Sequence, residues 1–185
     1  SAVAVLPNQR TSGSKAQAVR FARPRSRRPW YDGVVSAPSE PKAIREAASV
    51  ILLREARDGF EVFLLRRHKK ASFMASSYVF PGGTAEADED ARTAAARELF
   101  EEAGVLLAHD AGASAETLAL MTQERMRAKI LGGAPASKVL ALAGLAWSTD
   151  VLAPWSHWIT PSVEPKRFSA RFFVTELPAG QEPHF

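Results

Sequence analysis

The 185-residue chain contains no cysteine, so disulfide staples and thiolate metal sites are both excluded. Any metal chemistry must therefore use oxygen or imidazole ligands. No window approaches the roughly 18 consecutive apolar residues that a membrane-spanning helix needs, so no membrane partner is expected. Histidine is scarce, with four residues in all. His68 and His157 each lack a partner at metal-ligand spacing, and neither is assigned a catalytic role. Acidic side chains are missing altogether from residues 1–31, where Arg10, Lys15, Arg20, Arg23, Arg25, Arg27 and Arg28 stand unbalanced.

That basic arm accounts for the net charge of +4, since 17 basic residues face 20 acidic ones in the rest of the chain. An Arg- and Ser-bearing, acid-free stretch fits a nucleic-acid contact or an organelle-targeting segment. It equally fits a solvated leader, because Pro7, Pro24 and Pro29 with few apolar residues between them cannot bury enough surface to order themselves. Residues 1–42 are accordingly expected to form a flexible leader and 43–185 one soluble globular domain. The overall content of 46% hydrophobic and 24% charged residues is sufficient for a core of its own.

From Ala48 the pattern becomes regular. Val50 to Leu53 form an apolar run suited to a buried strand, Asp58-Gly59 a turn, and Phe60 to Leu65 a second strand, which together read as a hairpin. Tyr78 to Phe80 form a short extended piece that ends at Pro81-Gly82-Gly83. Glu89 to Ala103 lack Gly and Pro, and Ala91, Ala95 and Leu99 recur at helical spacing, so an amphipathic helix is expected there with Gly104 as its left-handed stop. Val105 to Leu107 resume as strand or buried loop. Further helices are expected at Ser114 to Leu131 and Ser137 to Ala146, and strands at Trp155 to Thr160 and Phe168 to Leu177.

The chemistry concentrates on the first helix. At 100° per residue, Glu98 and Glu102 lie about 40° apart in projection and Glu101 about 60° to the other side of Glu98, so three carboxylates share a face. Like charges at these spacings cost a bare helix roughly 0.2–0.5 kcal/mol per pair, a repulsion that a divalent cation converts into attraction. Hard oxygen ligands select Mg²⁺, Mn²⁺ or Ca²⁺ over softer metals. Taken alone, the helix reads more simply as a solvated acidic face with Arg97 and Glu101 as an i, i+4 pair.

The segment upstream of the helix decides between these readings. Gly83, Glu89, Arg97, Glu98, Leu99, Glu101, Glu102, Gly104 and Val105 match every defined position of G-x5-E-x7-R-E-U-x-E-E-x-G-U, with U a bulky aliphatic residue. A chance match of nine positions is on the order of one in 10⁹ per starting point. By this motif the chain resembles the Nudix hydrolases. The resemblance implies an α/β/α sandwich with a mixed sheet, carrying here a helical insert after the motif helix. It also implies Mg²⁺ (or Mn²⁺) held by Glu98, Glu101, Glu102 and the carbonyl of Gly83, with Arg97 orienting Glu89 and either Glu101 or Glu102 serving as general base.

Within the family, Phe63 to Arg67, Phe73-Met74, Tyr78 to Gly83 and Trp155 to Pro161 resemble the coenzyme A diphosphatase branch. That likeness implies cleavage of coenzyme A or acyl-coenzyme A to 3′,5′-ADP and a phosphopantetheine, with Arg67, Lys69, Lys70, Phe80 and Gly82 meeting the substrate. Ser72 and Ser76 depart from the branch, which carries Arg and Gly there. ADP-ribose or another dinucleotide is the alternative substrate, and a non-catalytic RNA- or protein-binding component the alternative class. Trp155 and Trp158 read as core or rim packing rather than a base-stacking platform. A homodimer fits the family, as does a domain whose C-terminal part lies beyond Phe185. Cytoplasm is the default location, with mitochondrion or peroxisome as alternatives.

Overall fold

A computed structural model describes the backbone of residues 3–4 and the segments 43–66, 77–112 and 122–184. Its frame is a six-stranded mixed sheet built around β2 (Ile44–Ala56). The Arg57-Asp58 turn returns the chain as β3 (Gly59–Phe63), antiparallel to β2 with Ala56 opposite Gly59. Gly59 takes a positive φ of 146°, a conformation the turn would not accept from a side-chain-bearing residue without strain. β1 (Val3–Ala4) pairs with the outer side of β3. On the other side of β2 runs β10 (Arg167–Glu176), parallel to it over ten residues, and β9 (Ala153–Ile159) follows as its antiparallel neighbour.

Two smaller ladders flank this sheet. β4 (Leu65–Arg66) pairs with β5 (Tyr78–Val79), and β7 (Ala108–Asp110) with β8 (Leu145–Trp147). The expected strand Phe60 to Leu65 is thus divided: it ends at Phe63, and Leu65 joins a different partner. β6 (Gly82–Thr84) adds to β2 directly, with Gly83 opposite Ala48.

α1 (Ala91–Ala103) lies across β2 and β10. Asp90 caps its start by accepting from the Thr93 N–H at 2.7 Å, so Glu89 stands just outside the helix rather than within it. Gly104 at φ 69° ends it as expected. Ala94, Ala95 and Ala103 are fully buried and small enough to bring the helix close to Ala48, Val50, Leu52 and Phe173. Phe100 faces away from the sheet into a second cluster, formed by Met126 and Ile130 of α2 (Gln123–Leu131) and by Val139 and Leu140 of α3 (Ala136–Leu142).

The end of the third helix needs correction. The third helix stops at Leu142, because Gly144 turns left-handed at φ 66° and Leu145 and Ala146 are claimed by the ladder to β7. Val105 to Leu107 form a buried loop, and the following strand at Ala108 to Asp110 had no alternating pattern to announce it. The second helix is described from Gln123, and its expected start at Ser114 lies outside the described residues.

Phe100 joins the two layers, completely buried and edge-on to Trp147 at 6.5 Å between centroids. Phe100→Ala is expected to cost about 3–5 kcal/mol in urea unfolding, the range for an aromatic cavity. A loss under about 1 kcal/mol would show that the helical layer collapses to fill the gap.

Candidate functional site

The site grows from a close approach of turn and helix. Pairing with β2 brings Gly82 and Gly83 beneath the last two turns of α1. A Cβ on Gly83 would collide with the carboxylate of Glu98, and one on Gly82 with the carbonyl of Ala48 and the hydroxyl of Ser49. Backbone contacts thus require glycine at position 82, whereas a side chain at 83 would displace the Glu98 carboxylate. The Gly82 N–H donates to Glu102 Oε2 at 2.9 Å, which ties the turn to the helix.

Arg97 organises the acidic residues. Only 4% exposed, it donates through Nε and Nη2 to the two oxygens of Glu89 at 2.8 and 3.0 Å, a bidentate pair. Nη2 also meets the Thr84 carbonyl at 2.9 Å, and Nη1 is shared between Glu98 Oε1 at 3.0 Å and Glu101 Oε1 at 3.1 Å. Burial opposes its charge, yet the bonds to Glu89 and Glu101 and the field of Glu98 hold the guanidinium more firmly protonated than an ordinary arginine. Glu89 is fixed from its other side by the Glu86 N–H at 3.1 Å.

Glu98 is a strongly perturbed carboxyl group. Burial pushes it up to about 7; Arg97 acts against this, and the neighbouring charges of Glu101 and Glu102 add to it. A buried acid of this kind, pressed against a glycine backbone, is short of positive charge.

Hard oxygen donors and a backbone kept free of side chains suit Mg²⁺ or Mn²⁺. Among the described residues, however, no three acidic or imidazole groups converge into a ready cage. Glu101 turns toward Arg97, forming the expected i, i+4 ion pair, and Glu102 turns toward the Gly82 N–H.

Of the other residues singled out from sequence, Phe80 is half-buried and edge-on to Phe172, 6.4 Å between centroids. Arg67, Lys69, Lys70 and His68 lie outside the described residues. His157 Nε2 pairs with Ser169 Oγ at 2.8 Å within the sheet. Trp155 and Trp158 are not core: each is 69% exposed on β9, the last strand of the sheet path.

Sequence reasoning did not find Arg127. Its Nε and Nη2 reach the Glu101 carbonyl at 3.0 and 2.8 Å from 26 positions along the chain. Nor did it find Gln181, whose amide pairs with both the N–H and the carbonyl of Leu106 at 2.8 Å. Neither contact leaves a mark in a one-dimensional pattern.

Comparison with known proteins agrees with this geometry. Residues 43–128 match the family model of the NUDIX domain. The chain is 36% identical over 135 residues to a putative nudix hydrolase 7 of Caenorhabditis elegans, an alignment covering 70% of this chain and 43% of that protein, so the chain spans less than half of that relative's length. A crystal structure of a NUDIX hydrolase from Alicyclobacillus acidocaldarius is similar in fold, with a TM-score of 0.64 and 27% identity over 77% of this chain and 74% of that one. Sequence and fold thus agree with the motif read from residues 83–105: the chain carries a NUDIX domain and is similar in sequence and fold to Nudix hydrolases.

Proposed function

We propose that the protein is a Mg²⁺- or Mn²⁺-dependent pyrophosphohydrolase acting on a nucleoside diphosphate joined to a second group, with coenzyme A or an acyl-coenzyme A as its substrate. The observation that carries this reading is the buried Arg97, which gathers Glu89, Glu98 and Glu101 beside the Gly82-Gly83 turn. Three carboxylates exceed the single charge of the guanidinium they surround, an excess that a bound divalent cation would offset.

Glu98, Glu101, Glu102 and the Gly83 carbonyl are the groups that would hold the cation. A divalent cation there would offset phosphate charge and polarise the attacking water. Glu89, clamped by Arg97, keeps the guanidinium from rotating and so fixes the background charge against which the helix carboxylates work. Glu101 or Glu102 takes the proton of the water as its oxygen bonds to phosphorus. The bridging P–O bond breaks, and two phosphate products leave.

The narrower choice of coenzyme A rests on the residues flanking the motif. Phe80 and Gly82 stand beside the acidic turn, and Arg67, Lys69 and Lys70 supply cationic chemistry suited to the additional 3′-phosphate of that substrate.

A hydrolysis screen with Mg²⁺ or Mn²⁺ over coenzyme A, acetyl-coenzyme A, ADP-ribose, NADH and diadenosine polyphosphates, read by mass spectrometry, tests the proposal. Release of 3′,5′-ADP at the highest kcat/KM among them is expected. Preference for ADP-ribose would remove the coenzyme A assignment, and inactivity on all would favour a binding component. In the same assay Glu102→Gln should lower kcat at least ~100-fold while the far-ultraviolet circular dichroism is unchanged. Full turnover would mean the cation sits elsewhere.

The raised pKa of Glu98 gives a pH dependence. Its folded-state value of about 7 lies above the ordinary 4.5, so the cation-free fold has its full stability below the ordinary value and loses part of it as pH climbs through 7. A bound cation favours the charged form and restores that loss. Thermal scans should therefore show Mg²⁺ raising Tm more at about pH 8 than at about pH 5.5, and the opposite ordering would count against Glu98 as a ligand.

A further inference from the structure

The C-terminal turn of α1 carries Glu101 and Glu102 and ends in the interior. A helix leaves its last four carbonyls without intrahelical donors, and each needs a partner when water is excluded. Here the Phe100 carbonyl is met by the Gly104 N–H at 3.0 Å and the Ala103 carbonyl by the His184 N–H at 2.8 Å. The Glu101 carbonyl receives a side chain instead: Nε and Nη2 of Arg127 converge on it at 3.0 and 2.8 Å.

Arg127 sits on α2, between Met126 and Ile130. These two bury against Phe100, the residue that precedes Glu101 on α1. The aliphatic contact and the guanidinium contact therefore grip adjacent residues of one turn. A cation at this end also meets the negative pole of the helix dipole. Both donors come from one rigid plane, so the carbonyl is fixed in direction as well as distance, which a single ammonium cannot do.

We infer that Arg127 is a positioning residue for metal binding: through the Glu101 carbonyl it sets the backbone of the turn that presents Glu101 and Glu102, and so couples the helical insert to the acidic cluster. The inference rests on the proposed metal-dependent function and extends it to a residue outside the family motif. Groups that orient metal ligands without touching the ion change affinity about 10- to 100-fold when removed.

The test is Mn²⁺ binding by the full chain, followed through loss of the free-ion electron paramagnetic resonance signal, which requires no substrate and no turnover. Arg127→Met is expected to weaken Mn²⁺ binding about 10-fold or more, with Tm little changed, and Arg127→Lys to recover part of the loss. Unaltered Mn²⁺ affinity in a folded Arg127→Met protein overturns the inference. If the methionine variant does not fold, the lysine variant decides: weakened binding supports the two-donor grip and full affinity overturns it. Failure of the unaltered chain to bind Mn²⁺ overturns the metal-dependent reading itself, and this inference with it.

Discussion

A buried guanidinium is the constraint on which the acidic site depends. Arg97 is almost wholly removed from water, and its charge is tolerable only because Glu89 takes two of its donors and Glu98 and Glu101 share a third group. Removing one partner of a buried pair strands the other, at a cost of about 3–5 kcal/mol. The dependence runs both ways. Without Arg97 the carboxylates of Glu89, Glu98 and Glu101 would face one another across a poorly hydrated space, and without them Arg97 would have no reason to be inside.

Around that ion cluster the packing is unusually plain. Alanines at 94, 95 and 103 let α1 settle close onto β2, and the same proximity places Glu98 against Gly83 with no room for a side chain between them. Core and site are thus two consequences of one helix position. The larger residues Phe100, Met126 and Leu140 fill the opposite side, where the helical insert adds a second layer. The end of α1 is closed from three directions by Gly104, by Arg127 and by the segment around Gln181 to His184. A ligand-bearing turn held this way has little freedom to drift.

Exposure is distributed unevenly. The motif helix is buried or half-buried along its whole length, while Thr84, Glu86, Ala87 and Asp88 of the loop before it are exposed and β9 presents Trp155, Trp158 and Ile159 to solvent. Tryptophan composition alone pointed to packing. Their strand is the outermost of the sheet path, paired with β10 on one side, and both rings stand 69% exposed.

The amino-acid sequence by itself determined the local matters: a hairpin near Asp58-Gly59, its turn shifted by one residue to Arg57-Asp58, the helix stop at Gly104, the exclusion of thiolate ligands, and through nine spaced residues the turn and helix of the family motif. These depend on neighbours within a few positions, where backbone dihedrals and helical period act directly. Tertiary structure decided the rest. Leu145 and Ala146 became strand because Ala108 to Asp110 offered a ladder, Leu65 left β3 for β5, and Glu101 acquired Arg127 at its carbonyl. In each case the deciding partner lies more than ten residues away, and its hydrogen bonds outweigh a local preference worth a few tenths of a kcal/mol per residue.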